Sequence, residues 1–149
     1  MGAWGFGNFE NDVAMDLVAE LSETEGGATI LVSSIQATAN TAVSEYLDSD
    51  DAVETLVAIE LLAAQKGAPP EDLPDEAEQW LEENDLLALD NFIGGSREEK
   101  ERWLVGMSLR ALDRIAGINS ELNDLWEESE EHDEWLAVLE DLKARLLAH

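Results

Sequence analysis

Carboxylates are the side chains best able to do chemistry in this sequence, and few other groups stand beside them to help. The 149-residue chain has 35 Asp and Glu against 8 Lys and Arg, a formal charge of −27, with no cysteine and two histidines, His132 and His149. Without cysteine there is no disulfide framework, no thiol nucleophile and no thiolate-held zinc. Neither histidine completes a nucleophile, base and orienter set, and no serine lies in a Gly-x-Ser-x-Gly elbow, so hydrolytic triad chemistry is not expected. Asp48, Ser49, Asp50 and Asp51 look like the opening of a calcium loop. Such a loop needs Gly at its sixth position and Glu at its twelfth, where Val53 and Ile59 stand. No glycine-rich phosphate loop ends in Lys followed by Ser or Thr, and no dinucleotide fingerprint follows a strand. No catalytic residue, metal site or cofactor is therefore expected.

Four constellations remain. Asn11, Asp12 and Asp16 open a helical pattern in which Asp12 and Asp16, four apart, share a face that suits a hard cation or a basic partner. In the plainer reading Asn11 caps the helix, Asp12 favours its positive end and Asp16 is solvated. Trp4, Phe6 and Phe9 lie among glycines, either as exposed aromatic anchors or as rings packed over the core. Glu60 follows Val53 and Val57 and precedes Ala64 on one helical stripe, so it interrupts an apolar face. A carboxylate buried there needs an arginine, another donor or a raised pKa, and an arginine from residues 97–149 is the expected partner. Glu127, Glu128, Glu130, Glu131, Asp133 and Glu134 form an acidic run between two Trp-bearing segments, a solvated surface or a docking site for a cationic cleft.

The distribution of charge narrows the partners. Residues 1–96 hold a single basic side chain, Lys66, and all other Lys and Arg fall in residues 97–149. Binding a phosphate backbone requires clustered Lys and Arg, so nucleic acid is excluded as a partner. No apolar run reaches the ~18 residues of a spanning helix, and no basic segment followed by an apolar run opens the chain, so no membrane association and a cytoplasmic location are expected. A field this negative steers cationic partners inward, which makes a basic protein the natural ligand. The same acidity also suits a salt-adapted cytoplasm, where it serves solvation alone.

These groups must be positioned by helices, because apolar residues recur at helical spacing and no β-alternation competes. Val13, Ala14, Leu17, Val18 and Leu21 mark a first helix with Asn11 at its cap, broken at Gly26 and Gly27. Ile30, Leu31, Ile35, Ala42, Val43, Tyr46 and Leu47 suggest a long second helix to about residue 47. Asp51 with Glu54 fits an acidic capping box opening a third helix, which ends at Gly67. Its apolar residues wrap round the axis, so it should be central. A Pro-rich loop spans 67–74, and Pro74 suits the first position of a short helix to about Asn84 bearing Ala77, Trp80 and Leu81. The stretch 85–95 has no clear pattern. Ser96 with Glu99 caps a helix through Trp103, Met107, Ala111 and Ile115. Ser120 caps a short one with Leu122, Leu125 and Trp126, and Trp135 to Leu146 forms the last. The expected fold is all-α, a compact single-domain bundle of five to seven helices over residues 1–149, with an irregular Gly/aromatic arm at residues 1–10.

The opening Met-Gly-Ala-Trp-Gly-Phe-Gly-Asn-Phe-Glu-Asn-Asp-Val-Ala-Met-Asp carries a resemblance, with Gly2, Trp4, Gly5, Gly7, Phe9, Asn11, Asp12 and Asp16 at motif positions. So do Ser120-Glu121-Leu122, the run Leu125-Trp126-Glu127-Glu128-Ser129, Trp135, Asp141-Leu142 and Arg145-Leu146. With these motifs the chain resembles the bacterial domain of unknown function 4259 family. The resemblance implies a small helical bacterial protein and no named activity. The function expected from the residues is that of a non-enzymatic interaction protein, immunity- or antitoxin-like, that covers a basic surface. The alternatives are a carboxylate- and metal-dependent enzyme, or a structural oligomerisation module whose acidity is salt adaptation.

Overall fold

Asp48 starts the helix around which everything else is arranged. In the computed structural model, which describes residues 3–88 and 95–148, its carboxylate accepts from the backbone N–H groups of Asp50 and Asp51 at 2.9 and 3.3 Å. The helix therefore begins at Ser49, earlier than the capping box expected at Asp51. Seven helices follow one another among the described residues: α1 (Asp12–Glu23), α2 (Gly27–Ala39), α3 (Ser49–Gln65), α4 (Asp75–Glu83), α5 (Arg97–Ile115), α6 (Glu121–Glu127) and α7 (His132–Ala148). No strand is formed among these residues, only isolated bridges between Ala3 and Asn11 and between Leu47 and Ser120. The all-α expectation is met at the upper end of its helix count. No helix of the described residues is long and apolar enough to cross a membrane.

Every residue of α3 from Thr55 to Ala63 is buried, and α3 touches all six other helices. Ile59, Leu61 and Leu62 lose all contact with solvent, each contributing about 1.5–3 kcal/mol of transfer free energy. The helix stops where Gly67 takes φ +101°, a conformation other residues adopt only with strain. Pro74 lies just outside α4, at its cap, and not at the first helical position. The capping box of α5 is formed, Ser96 Oγ accepting from Glu99 N–H at 3.2 Å, and Asn11 caps α1 by accepting from Ala14 N–H at 2.8 Å. Residues 89–94, which hold most of the patternless stretch, lie outside the described residues, as do Gly2 and His149.

The second helix is shorter than its apolar spacing suggested. It ends at Ala39, and residues 41–47 form turns that leave Val43 and Tyr46 exposed. The reason is Arg114, a buried side chain near the end of α5, whose guanidinium donates to the carbonyls of Thr41, Ala42 and Glu45 at 2.9, 3.2 and 2.6 Å. A continuing helix would have engaged those carbonyls internally. Arg114 also reaches the carbonyls of Ile118 and Asn119. Leu47 and residues 119–121 then bond to each other, Leu47 N–H to Asn119 O at 2.8 Å and Glu121 N–H to Leu47 O at 2.9 Å.

Candidate functional site

Glu60 is carried inside by its helix. α3 is buried on all sides at this level, and the one carboxylate in its middle is 1% exposed. Two partners reach it from elements far apart in sequence. Asn8, itself buried in the N-terminal arm, donates Nδ2–H to Glu60 Oε2 at 3.0 Å. Arg145, from α7, donates Nη2–H to the same oxygen at 3.3 Å and brings Nη1 within 2.8 Å of Oε1. The second contact is an ion pair, so the guanidinium faces both carboxylate oxygens. Asp141, one turn before Arg145, holds the guanidinium by accepting from Nε–H at 2.8 Å, and the Ala68 carbonyl takes Nη1–H at 3.1 Å. Burial raises the Glu60 pKa, and the arginine and asparagine only partly offset it.

A cleft of ≈ 470 Å³ opens over this pair, between the arm, the loop before α4 and α7. Its acidic lining comes from Glu10, Glu60, Glu71, Asp72, Glu134 and Asp141, its apolar walls from Phe6, Pro70, Ala137 and Val138, and its single cation is Arg145. The arm is folded to bring Glu10 there. Trp4 N–H bonds to Glu10 O at 3.0 Å, Glu10 N–H to Gly7 O at 3.0 Å, and the Glu10 carboxylate accepts from Gly7 N–H at 3.1 Å. A Cβ on Gly7 would lie 2.5 Å from Glu10 Oε1 and 2.8 Å from Asp72 Oδ2, so two carboxylates converge on the space a side chain would occupy. Asp72 is raised in pKa, first by burial and further by the nearby Glu10 charge.

A second, smaller cleft of ≈ 230 Å³ lies on the other side of the arm, where the starts of α1 and α3 meet α6. Val13, Val53, Leu122, Leu125 and Trp126 line it, with Asn11, Asp12 and Asp50 as polar residues. Among the described residues, no group of three or more His, Asp or Glu is arranged to hold a metal ion.

The candidate residues named from sequence separate between these places. Phe6, Glu60 and Glu134 meet in the acidic cleft, while Asn11 and Asp12 border the apolar one. Asp16 is exposed one turn further along α1 and lines neither. Phe9 belongs to the core at 3% exposed, whereas Trp4 stands out at 61%. Glu127, Glu128, Glu130, Glu131 and Asp133 are exposed around the α6–α7 turn, with Glu127 accepting weakly from Asn123 at 3.5 Å. The arginine expected for Glu60 from residues 97–149 is Arg145, whereas sequence reasoning gave no site role to Asn8, Glu10, Asp72 or Asp141. The four-residue spacing of Asp141 and Arg145 was a legible signal, since such a pair presents an ordered guanidinium on one helix face. The other three are brought in by loops.

Compared with known proteins, residues 2–138 match a family model, Domain of unknown function (DUF4259). No curated protein and no solved structure matches the chain.

Proposed function

The chain belongs to the Domain of unknown function (DUF4259) family, and from that premise and its own residues we propose that it is a non-enzymatic bacterial binding protein of the cytoplasm that covers a basic surface on another protein, as an immunity protein or antitoxin does. The observation that carries this reading is the acidic cleft. Six carboxylates line it, and its one cation, Arg145, is already engaged by Glu60, Asp141 and the Ala68 carbonyl. Such a surface is electrostatically incomplete and attracts Lys- and Arg-bearing partners, with the whole molecule's −27 charge accelerating the encounter.

The test is affinity capture from native lysate at low salt, then association of the purified captured protein followed across a salt series. A basic protein that binds in one-to-one ratio, with an association rate falling steeply as salt rises, supports the reading. Association whose rate is indifferent to salt, or binding without fixed stoichiometry, overturns it.

A further inference from the structure

We propose that the apolar cleft where the starts of α1 and α3 meet α6 receives one large apolar side chain of the partner protein, a leucine or phenylalanine flanked by lysines or arginines that lie over Asp12 and Asp50. This rests on the reading of a basic partner and deepens it by assigning the point at which that partner is anchored.

The walls of this cleft, Val13, Val53, Leu122, Leu125 and Trp126, are apolar and already in place. Trp126 is held by its stacking on Trp135, and Glu121 pins α6 to the start of α3, accepting from Ser49 N–H at 2.9 Å and donating its own N–H to Leu47 O at 2.9 Å. A site that need not be ordered on binding avoids that entropic cost. Size then selects the occupant. An apolar cavity of about 150 Å³ admits benzene, whereas sites for drug-sized ligands span about 300–1,000 Å³. The ≈ 230 Å³ here suits a single ring or branched aliphatic group, the form in which a large side chain anchors a protein interface.

Charge selects what surrounds the anchor. Asp12 and Asp50 are exposed at the cleft, no Lys or Arg lines it, and among the described residues no ion pair reaches either carboxylate. Lys66, the single basic side chain of residues 1–96, sits at the opposite end of α3 and donates to Leu146 O at 2.8 Å. Asp12, Asp48, Asp50 and Asp51 outweigh the positive ends of α1 and α3, each roughly half a unit charge, so the field at the cleft stays negative. Trp4, next to Ala3 of the lining, is 61% exposed and adds an aromatic ring on which a cation can rest. An apolar centre bordered by carboxylates, with no cation of its own, is complementary to an apolar anchor with basic flanks.

The experiment titrates the full chain with acetyl-Lys-Lys-Leu-Lys-Lys-amide in potassium chloride at about 0.1 M ionic strength, following leucine and valine methyl groups and the tryptophan indole N–H groups by NMR. Saturable one-to-one shifts centred on Val13, Val53, Leu122, Leu125 and Trp126 are the expected result. The same peptide with alanine in place of leucine should bind at least about tenfold more weakly, having lost the buried aliphatic group. Acetyl-Glu-Glu-Leu-Glu-Glu-amide should not bind. Shifts that do not saturate or that centre elsewhere, equal binding of the leucine and alanine peptides, or equal binding of the acidic peptide would each overturn the proposal. Asp12→Asn with Asp50→Asn is isosteric at two exposed positions and leaves the Asp48 cap intact, so it should fold and weaken binding about tenfold. Glu98→Gln with Asp113→Asn, which removes as much charge from exposed sites on α5, should leave affinity within about twofold. Equal weakening by that control pair would reduce the contact to bulk charge and sink the assignment. Val13→Phe fills the cleft and should abolish the saturable shifts; if it does not fold, Leu125→Gln at a half-buried wall position carries the same test. The parent reading is tested apart from this one: a basic protein that binds the filled or polar-walled variant as tightly as the natural chain, with the same salt dependence, keeps that reading and overturns the anchor site.

Discussion

Trp135 stacks on Trp126 with ring centroids 6.2 Å apart and planes 13° from parallel, and both rings are buried. His132 lies against Trp135 at 6.0 Å and is fixed by a 2.9 Å hydrogen bond between Nε2 and Asn123 Oδ1. These residues fasten α6 to α7 beneath the exposed acidic run, so the run sits on a rigid support. Trp126→Ala and Trp135→Ala should each lower unfolding free energy by about 3–5 kcal/mol in urea titrations, since each empties a large aromatic volume from the core. A loss below ~1 kcal/mol would move the ring out of the core. Single residues were also where the site was most legible: Glu60 betrays itself as a carboxylate in an apolar stripe, and its burial demands a cation from elsewhere. Asn8 and Asp72 give no comparable signal, because loop side chains have no periodicity to interrupt.

The elements themselves were read from periodicity and caps, and this worked where the helix ends are set locally. Asn11, Ser96 and Ser120 each accept from a backbone N–H three residues on, so the signal and the structure lie in the same short window. Residues 41–47 are the opposite case. Val43, Tyr46 and Leu47 keep helical spacing, but their segment is shaped by Arg114, about seventy residues away in sequence, and no local pattern reports that. The five carbonyls gathered by this one guanidinium make a rigid pair of loops out of two segments with few apolar contacts of their own. Arg114→Ala should therefore cost about 3 kcal/mol in chemical denaturation, and Arg114→Lys should recover little of it, since a point-like ammonium cannot fork to carbonyls on both loops. Hydrogen exchange should quicken at Leu47 and Glu121 before it does in α3. Full rescue by lysine would mean that charge alone, without the fork, holds the loops.

At the scale of the molecule, charge sets stability through proton binding. Burial is the largest cause raising the pKa of Glu60, Asp72, Glu54 and Asp51, and neighbouring carboxylates add to it in each. These groups hold protons more tightly folded than unfolded, so their stabilisation is complete below the ordinary carboxylate range and disappears as pH rises through their folded midpoints. Asp85 runs the other way. The Arg97 guanidinium, forked onto it at 2.6 and 3.2 Å, lowers its pKa, so its contribution is present above the unfolded value and lost as pH falls through the folded one. The melting temperature should then rise as pH drops from 7 to about 5, and fall again below about pH 3.5. Potassium chloride relieves the same repulsion by another route, shortening the Debye length from ~10 Å at 0.1 M to ~3 Å at 1 M. Screening weakens pairs such as Arg97–Asp85, but these are few against a charge of −27, so salt should raise the melting temperature at pH 7. Because both changes act on the same carboxylates, their effects should overlap, and the rise with salt should be smaller at pH 5 than at pH 7. Thermal melts over a grid of pH and potassium chloride read this directly. A salt response as large at pH 5 as at pH 7 would show that repulsion among these carboxylates is not what limits the fold.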